Sequence, residues 1–346
     1  MSWLGRASLS AQIALDEAVL AVIRNRQPKP RMLVSADRTA IELMHASAVF
    51  DQQGWLTTPT AYHREPPPLR DTDIVSLRTR SWPQRHETMT FTSEFHPRNI
   101  EPGAERWDRN GRNGTVLVRL LRHRDTAAPW VVCLHGFGMG ASSFDLTVLW
   151  AKHLHRQFGL NVAVPVLPCH GPRRSPGDSQ LLSLDLAATL HGISQAIWDV
   201  RRLVRWIRDT TGAPVALYGL SLGGYLASLL AGIERLDSVV AGIPFTDIPG
   251  LMMHHHPPAR YEDIVRSASA RDVFSVVSPI GVPPLLGPDR LAIFAARGDR
   301  LIPSEHPIAL RDAWQSCPLH WYNGGHTGFA WSRAARDFVG ERLRTH

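Results

Sequence analysis

From about residue 129 the chain alternates two kinds of segment, and this alternation restricts its fold more than any other feature. Short apolar runs of strand length stand at 129–135 (PWVVCLH), 161–167 (NVAVPVL), 214–219 (PVALYG), 238–245 (SVVAGIPF), 291–297 (LAIFAAR) and 318–322 (PLHWY). Between them lie stretches of helical periodicity at about 143–158, 183–210, 221–232, 305–315 and 329–344. An uninterrupted apolar run is what a strand buried on both faces requires. Strands separated by helices pair in parallel and put the helices on both faces of one sheet, the α/β class. Two further strands precede the series. Residues 89–96 (MTFTSEFH) alternate as a half-buried strand does, and 114–122 (GTVLVRLLR) follow, with Asn110-Gly111 and Asn113-Gly114 marking a turn between them. These two read as antiparallel.

Helix ends are marked as well. Ser142 and Ser143 open the helix at 143–158, and Gly159 closes it. The longest helix carries Leu186, Leu190, Ile193, Ile197, Val200, Val204 and Ile207 on one stripe. Such a stripe suits a coiled-coil partner or the face of a sheet. It covers only about three heptads, which favours the sheet. Residues 1–88 carry weaker signals: one helix near 8–25, another near 38–50, then Glu65-Pro66-Pro67-Pro68, which reads as a linker because proline continues neither a helix nor a central strand. The expected organisation is a helical extension over 1–88 of unassigned role and a catalytic domain over 89–346. An insert at about 247–290, after the sixth core strand, would form a lid.

The chain has 346 residues and a net charge of +7, which invites a polyanionic partner. However, only Lys29 and Lys152 among its 38 basic residues are lysines, and the arginines are scattered along the chain rather than striped. That reads as a compositional bias, and no nucleic-acid partner is expected. Cys133, Cys169 and Cys317 are odd in number, far apart and without a CxxC pair, so a reducing, cytoplasmic setting is expected rather than a disulfide framework. No apolar stretch approaches the ~18 residues of a membrane span, and Asp16 and Glu17 interrupt what would otherwise be a secretory apolar core. The same two acids weaken an interfacial-helix reading of 8–24, which Arg6, Arg24 and Arg26 flank.

Four motifs carry chemistry. Gly219-Leu220-Ser221-Leu222-Gly223-Gly224 follows a strand and opens a helix. A chain reversing that sharply strains the serine backbone, tolerates only glycine two residues to either side, and lifts Ser221 clear of the sheet above a helix N-terminus that favours negative charge. His135-Gly136-Phe137-Gly138-Met139-Gly140 follows the first buried strand. Its glycines let backbone N–H groups turn inward, and Phe137 with Leu222 forms the expected pair of donors to an oxyanion. A phosphate loop is the competing reading, but no G-x-x-x-x-G-K-[ST] is present. Asp299, in Arg297-Gly298-Asp299-Arg300, and His326, in Asn323-Gly324-Gly325-His326, both stand at C-terminal strand ends, where the sites of open α/β sheets gather.

With these motifs in the order Ser221…Asp299…His326, the segment from about 89 to 346 resembles the α/β-hydrolase superfamily. The resemblance implies Ser221 as nucleophile, His326 as general base and acid, and Asp299 as the carboxylate orienting the imidazole. It implies an acyl-enzyme, no metal and no organic cofactor. Asp247, after strand 238–245, is the alternative acid. The expected activity is cleavage of a small-molecule carboxylic ester. Peptidase, thioesterase, lactonase and acyltransferase chemistry would use the same residues, and a non-catalytic binding protein on this scaffold is the alternative of another class. Candidate pocket residues are His135, Gly136, Gly138 and Met139 in the loop, Met252 in the insert, and Arg173 and Arg174 for an anionic substrate group. His254-His255-His256 reads as a polar loop, since adjacent residues cannot easily share one tetrahedral ion.

Overall fold

The apolar runs become the centre of a single sheet. The structure, a computed structural model, describes residues 12–18, 35–80, 86–125, 127–141, 144–174 and 180–344. Its strands are β1 (Ile74–Arg80), β2 (His86–Thr92), β3 (Thr115–Leu121), β4 (Trp130–Leu134), β5 (Asn161–Pro165), β6 (Val215–Leu220), β7 (Ser238–Gly242), β8 (Leu291–Ala296) and β9 (Leu319–Tyr322). They pair in the order β1-β2-β3-β5-β4-β6-β7-β8-β9. The pairs β1–β2, β2–β3 and β3–β5 are antiparallel, and every later pair is parallel.

The helices are α1 (helical at residues 12–18), α2 (Ala36–Gln52), α3 (Ala104–Asp108), α4 (Asp145–Val148), α5 (Ala151–Phe158), α6 (Leu186–Thr211), α7 (Leu222–Leu230), α8 (Ile248–His254), α9 (Ala259–Arg266), α10 (Ala268–Ser275), α11 (Glu305–Ala313) and α12 (Arg333–Arg344). Alternate residues of each central strand feed two cores. Val132 and Leu134 of β4, with Val215 and Leu217 of β6, pack with α6 and α7. Val131 and Cys133, with Ala216 and Tyr218, pack with α5 and α12 on the other face. The stripe on α6 from Leu186 to Ile207 lies wholly in the first core, so it faces the sheet. Each of its large side chains contributes roughly 1.5–3 kcal/mol by leaving water. Asp185 caps α6 by accepting from Ala188 N at 3.0 Å, and Gly212 ends it at φ 65°.

The N-terminal third departs from the expected layout. Residue 88 falls inside β2, and β1 lies wholly before it, so the sheet recruits part of what the sequence assigns to an extension. Helix α2 packs on α10 and α6, and Ser47 Oγ donates to Asp272 at 2.7 Å. The proline stretch is not a free linker. Arg201 Nη1 donates to Arg64 O at 2.7 Å and pairs with Glu65, Arg202 Nε reaches Pro67 O at 3.1 Å, and Arg205 also pairs with Glu65. Of the helix expected over 8–25, only 12–18 lies within the described residues. The expected helix at 143–158 is two helices, broken where Trp150 takes φ 54°, and its proposed caps Ser142 and Ser143 lie outside the described residues. Between β2 and β3 stand α3 and a 3-10 turn at Gly111–Gly114 instead of a tight hairpin. No described helix is long and apolar enough to cross a membrane, and all three cysteines are buried and none is in a disulfide.

Candidate active site

The turn from β6 to α7 is built as its glycines require. Ser221 is held at φ 55°, ψ −112°, a conformation L-residues rarely adopt. Its N–H donates to Gly242 O at 2.8 Å, which ties the turn to the end of β7. A Cβ on Gly219 would overlap the carbonyl of Gly223, and one on Gly223 would overlap the carbonyl of Leu134 at the end of β4. Both obstacles are backbone, which cannot swing aside. Ser221 is left half-exposed on top of the sheet while the rest of α7 is buried.

His326 and Asp299 meet Ser221 from neighbouring strand ends. His326 Nε2 lies 3.1 Å from Ser221 Oγ, and His326 Nδ1 lies 2.8 Å from Asp299 Oδ2. The other carboxylate oxygen, Asp299 Oδ1, accepts from the backbone N–H groups of Leu301 and Ile302, both at 2.8 Å. The acid is therefore fixed by its own loop before it meets the imidazole. Gly298 N donates to Gly324 O at 2.9 Å and Arg297 N to Tyr322 O at 3.0 Å, joining the two loops. Burial pulls the imidazole pKa down, but the charge and hydrogen bond of Asp299, with the charge of Asp16, outweigh it. The His326 pKa lies above its ordinary 6.5. A hydroxyl, an imidazole and a carboxylate so aligned can pass the hydroxyl proton to the imidazole while the carboxylate stabilises the charge that forms.

The glycine-rich loop after β4 lies against this turn. The Cβ position of Gly136 is 3.7 Å from Ser221 Cβ and 3.5 Å from Leu220 O, so the loop lies in van der Waals contact with the serine. Gly138 and Gly140 take φ 78° and 88°, which glycine reaches without strain. A buried ion pair holds the loop's far end. Arg119 donates to Gly140 O at 3.2 Å and pairs with Asp145 at 3.4 Å, and Asp145 accepts from Gly140 N at 3.1 Å.

Comparison with known proteins then places the chain. The model of the alpha/beta hydrolase family matches residues 131–343. The chain belongs to the alpha/beta hydrolase family. An uncharacterized protein of Mycobacterium tuberculosis (strain ATCC 25618 / H37Rv) is 36% identical to this hydrolase over 339 residues, spanning 96% of this chain and 81% of the relative. Among solved structures, acetyl xylan esterase 1 from Thermoanaerobacterium sp. JW/SL YS485 superposes with a TM-score of 0.58 at 15% identity, over 85% of this chain and 92% of that one. The acetyl xylan esterase from Paenibacillus sp. R4 gives 0.55 at 15% identity, over 82% and 98%. At such identities the likeness is one of fold.

Several residues expected in the hydrolase's pocket serve the scaffold instead. Arg173 is 1% exposed. Its guanidinium is spent on Val166 O, Asn113 O and the buried Asp199 carboxylate, at 2.9, 2.6 and 2.8 Å, and cannot also bind a substrate anion. Arg174 is exposed, and its carbonyl accepts from Arg112 at 3.4 Å. His135 is buried rather than pocket-facing. Its Nε2 accepts from Leu167 N at 3.1 Å, which puts the ring proton on Nδ1, 2.8 Å from Gly136 O. Burial, with His170 beside it, keeps the ring neutral. Met139 and Met252 are partly buried and pack on the second and first cores respectively. Asp247 is exposed at the start of α8 and makes no bond to His326, whose Nδ1 is taken by Asp299. The triple histidine braces the acid loop: His255 Nε2 lies 2.9 Å from Leu301 O and His254 Nε2 3.5 Å from Arg300 O.

One contributor escapes sequence reasoning. Asp16, on α1, is 0% exposed. It accepts from His326 N at 2.5 Å, from Thr327 N and Thr327 Oγ1 at 3.1 Å each, and from Arg300 N at 3.4 Å. Gln12 Oε1 accepts from Gly325 N at 3.3 Å in the same loop. In the sequence Asp16 is one of two adjacent acids, with Glu17, among apolar neighbours. Nothing local marks a partner some 310 residues away.

Proposed function

We propose that this hydrolase cleaves carboxylic esters of small molecules through an acyl-enzyme on Ser221. The observation that carries the proposal is the unbroken line from Ser221 Oγ through His326 to Asp299, at 3.1 and 2.8 Å. Ser221 attacks the carbonyl carbon as His326 Nε2 takes its proton. Asp299 holds the imidazole with its proton on Nδ1 and stabilises the imidazolium. The negative oxygen is received by the N–H groups of Phe137 and Leu222. Leu222 is suited to this because it is the first residue of α7, where an N–H has no carbonyl one turn behind it. Phe137 is suited because its neighbour Gly136 lies against the serine. The protonated imidazole then gives its proton to the leaving alcohol. Water, deprotonated by the same nitrogen, releases the acid. The motion needs no metal and no organic cofactor.

We assign the lid to residues 247–290, whose helices α8 and α9 follow β7 close to the acid loop. Ester cleavage is preferred to peptidase, thioesterase or acyltransferase chemistry because two structural neighbours are named as esterases. The three buried thiols fit a reducing, cytoplasmic setting. A fluorophosphonate probe tests the reading. Labelling that vanishes in Ser221→Ala supports the nucleophile, whereas an unlabelled wild-type protein points to a binding module on the hydrolase scaffold. A panel of p-nitrophenyl esters of graded acyl length then measures the size of the acyl pocket.

A further inference from the structure

Among the described residues, Asp16 is the one buried carboxylate near the triad that the mechanism above leaves without a part. It sits on a segment remote in sequence, yet its bonds among the described residues go to the two loops that carry the proposed catalytic acid and base. Its Oδ2 takes the N–H of His326 itself and that of Arg300, next to Asp299, while Oδ1 takes the N–H and hydroxyl of Thr327. The fit is close: a Cβ on Gly325 would meet the Asp16 carboxylate at 2.6 Å, and one on Gly328 would overlap Gln12.

We propose that Asp16 is a positioning residue of the hydrolase, a second carboxylate supplied by α1 that clamps the acid loop to the histidine loop and adds negative charge behind His326. This rests on the serine-hydrolase reading and deepens it. Two jobs follow from the geometry. As an acceptor of four donors, Asp16 fixes the backbone from which the imidazole projects, so that Nε2 stays within reach of Ser221. As a buried charge, it favours the imidazolium that forms when Ser221 attacks. Glu17 shows the contrast. One residue along, it pairs with Arg300 at 3.5 Å, but both side chains are more than half exposed, so water screens its field.

The experiment compares Asp16→Asn, Glu17→Gln and wild type in the full chain, with circular dichroism to establish folding. In Asp16→Asn the amide nitrogen must face an N–H donor, and the charge is gone. The titration of His326 is read by NMR on histidine-labelled protein, its signals identified by their loss in His326→Gln. The expected result is a His326 pKa lower by about half a unit or more in Asp16→Asn, and within about 0.2 of wild type in Glu17→Gln. The acid limb of kcat/KM on a p-nitrophenyl ester moves down with it, and kcat falls tenfold or more while KM changes little. An unmoved titration, or one shifted equally by both variants, overturns the assignment. Because the titration needs no substrate, that failure is separate from failure of the ester reading, which would show as a wild type that neither hydrolyses nor labels. Should Asp16→Asn not fold, Thr327→Val removes one of the four donors and keeps the charge. It is expected to lower kcat several-fold with the His326 pKa unchanged, and a wild-type kcat there overturns the clamp.

Discussion

At the scale of single residues, the site rests on which carboxylate meets the imidazole. Asp299 spends one oxygen on its own loop and the other on His326, whereas Asp247 stands exposed on a different strand end. Asp299→Asn is therefore expected to lower kcat by roughly a thousandfold or more, because the amide no longer enforces the tautomer with the proton on Nδ1. Asp247→Asn is expected to stay within a few-fold of wild type, and steady-state kinetics on one ester compares the two. The pH dependence has a fixed sign. His326 must be neutral to take a proton, and its pKa is raised above 6.5, so the acid limb of kcat/KM has its midpoint above about 6.5. A midpoint at 5 would remove the charge of Asp299 from the account. That Ser221, Asp299 and His326 meet is legible in the sequence because each sits beside glycines at a strand end, a pattern that survives without the fold. Arg173 was misread for the complementary reason: its partners, Asn113 and Asp199, come from elsewhere in the chain, and a lone arginine shows nothing of them.

At the scale of elements, the central strands were visible because burial on both faces demands uninterrupted apolar runs, and β4 to β8 have them. The strand β1 was not visible. Its sequence, IVSLRTR, suits the margin of a sheet, where one side of the strand has no neighbour, and it carries no apolar run. The proline stretch misled in the same way, since its fixing comes from Arg201, Arg202 and Arg205 on α6. The tightest element junction is β6 to α7. Gly223→Ala would drive a methyl into the carbonyl of Leu134, and the cost is expected to reach about 3 kcal/mol or more, because the start of α7 would have to move off the end of β4. Thermal unfolding of Gly223→Ala beside Ser221→Ala checks this. The serine variant relieves a left-handed serine of nothing but its hydroxyl and should melt close to wild type.

Across the whole molecule, part of the positive charge has structural work that composition could not reveal. Arg119, Arg173, Arg201 and Arg202 are all at most 6% exposed, and each is paired with a carboxylate or with backbone carbonyls. Buried histidines make stability depend on pH. Burial lowers the pKa of His63 and His170 from 6.5 to about 4, so both are neutral in the folded chain and must protonate in the unfolded one first. Between those values the unfolded chain binds more protons, so stability is full above about pH 6.5 and is lost as pH falls toward 4. Each histidine contributes on the order of 3 kcal/mol to that loss. Urea unfolding at pH 7.5, 5.5 and 4.5 should give a falling midpoint, and His63→Gln should flatten the trend. The contact between Asp16 and the histidine loop has a consequence for how the chain is made. Helix α1 leaves the ribosome some 310 residues before the histidine loop it holds. At roughly 5–20 residues per second that is a wait of about 15–60 s. The histidine loop would thus gain its hold on Asp16 only after that wait, and the proposed activity, followed in a growing chain, would time the moment when the two segments meet.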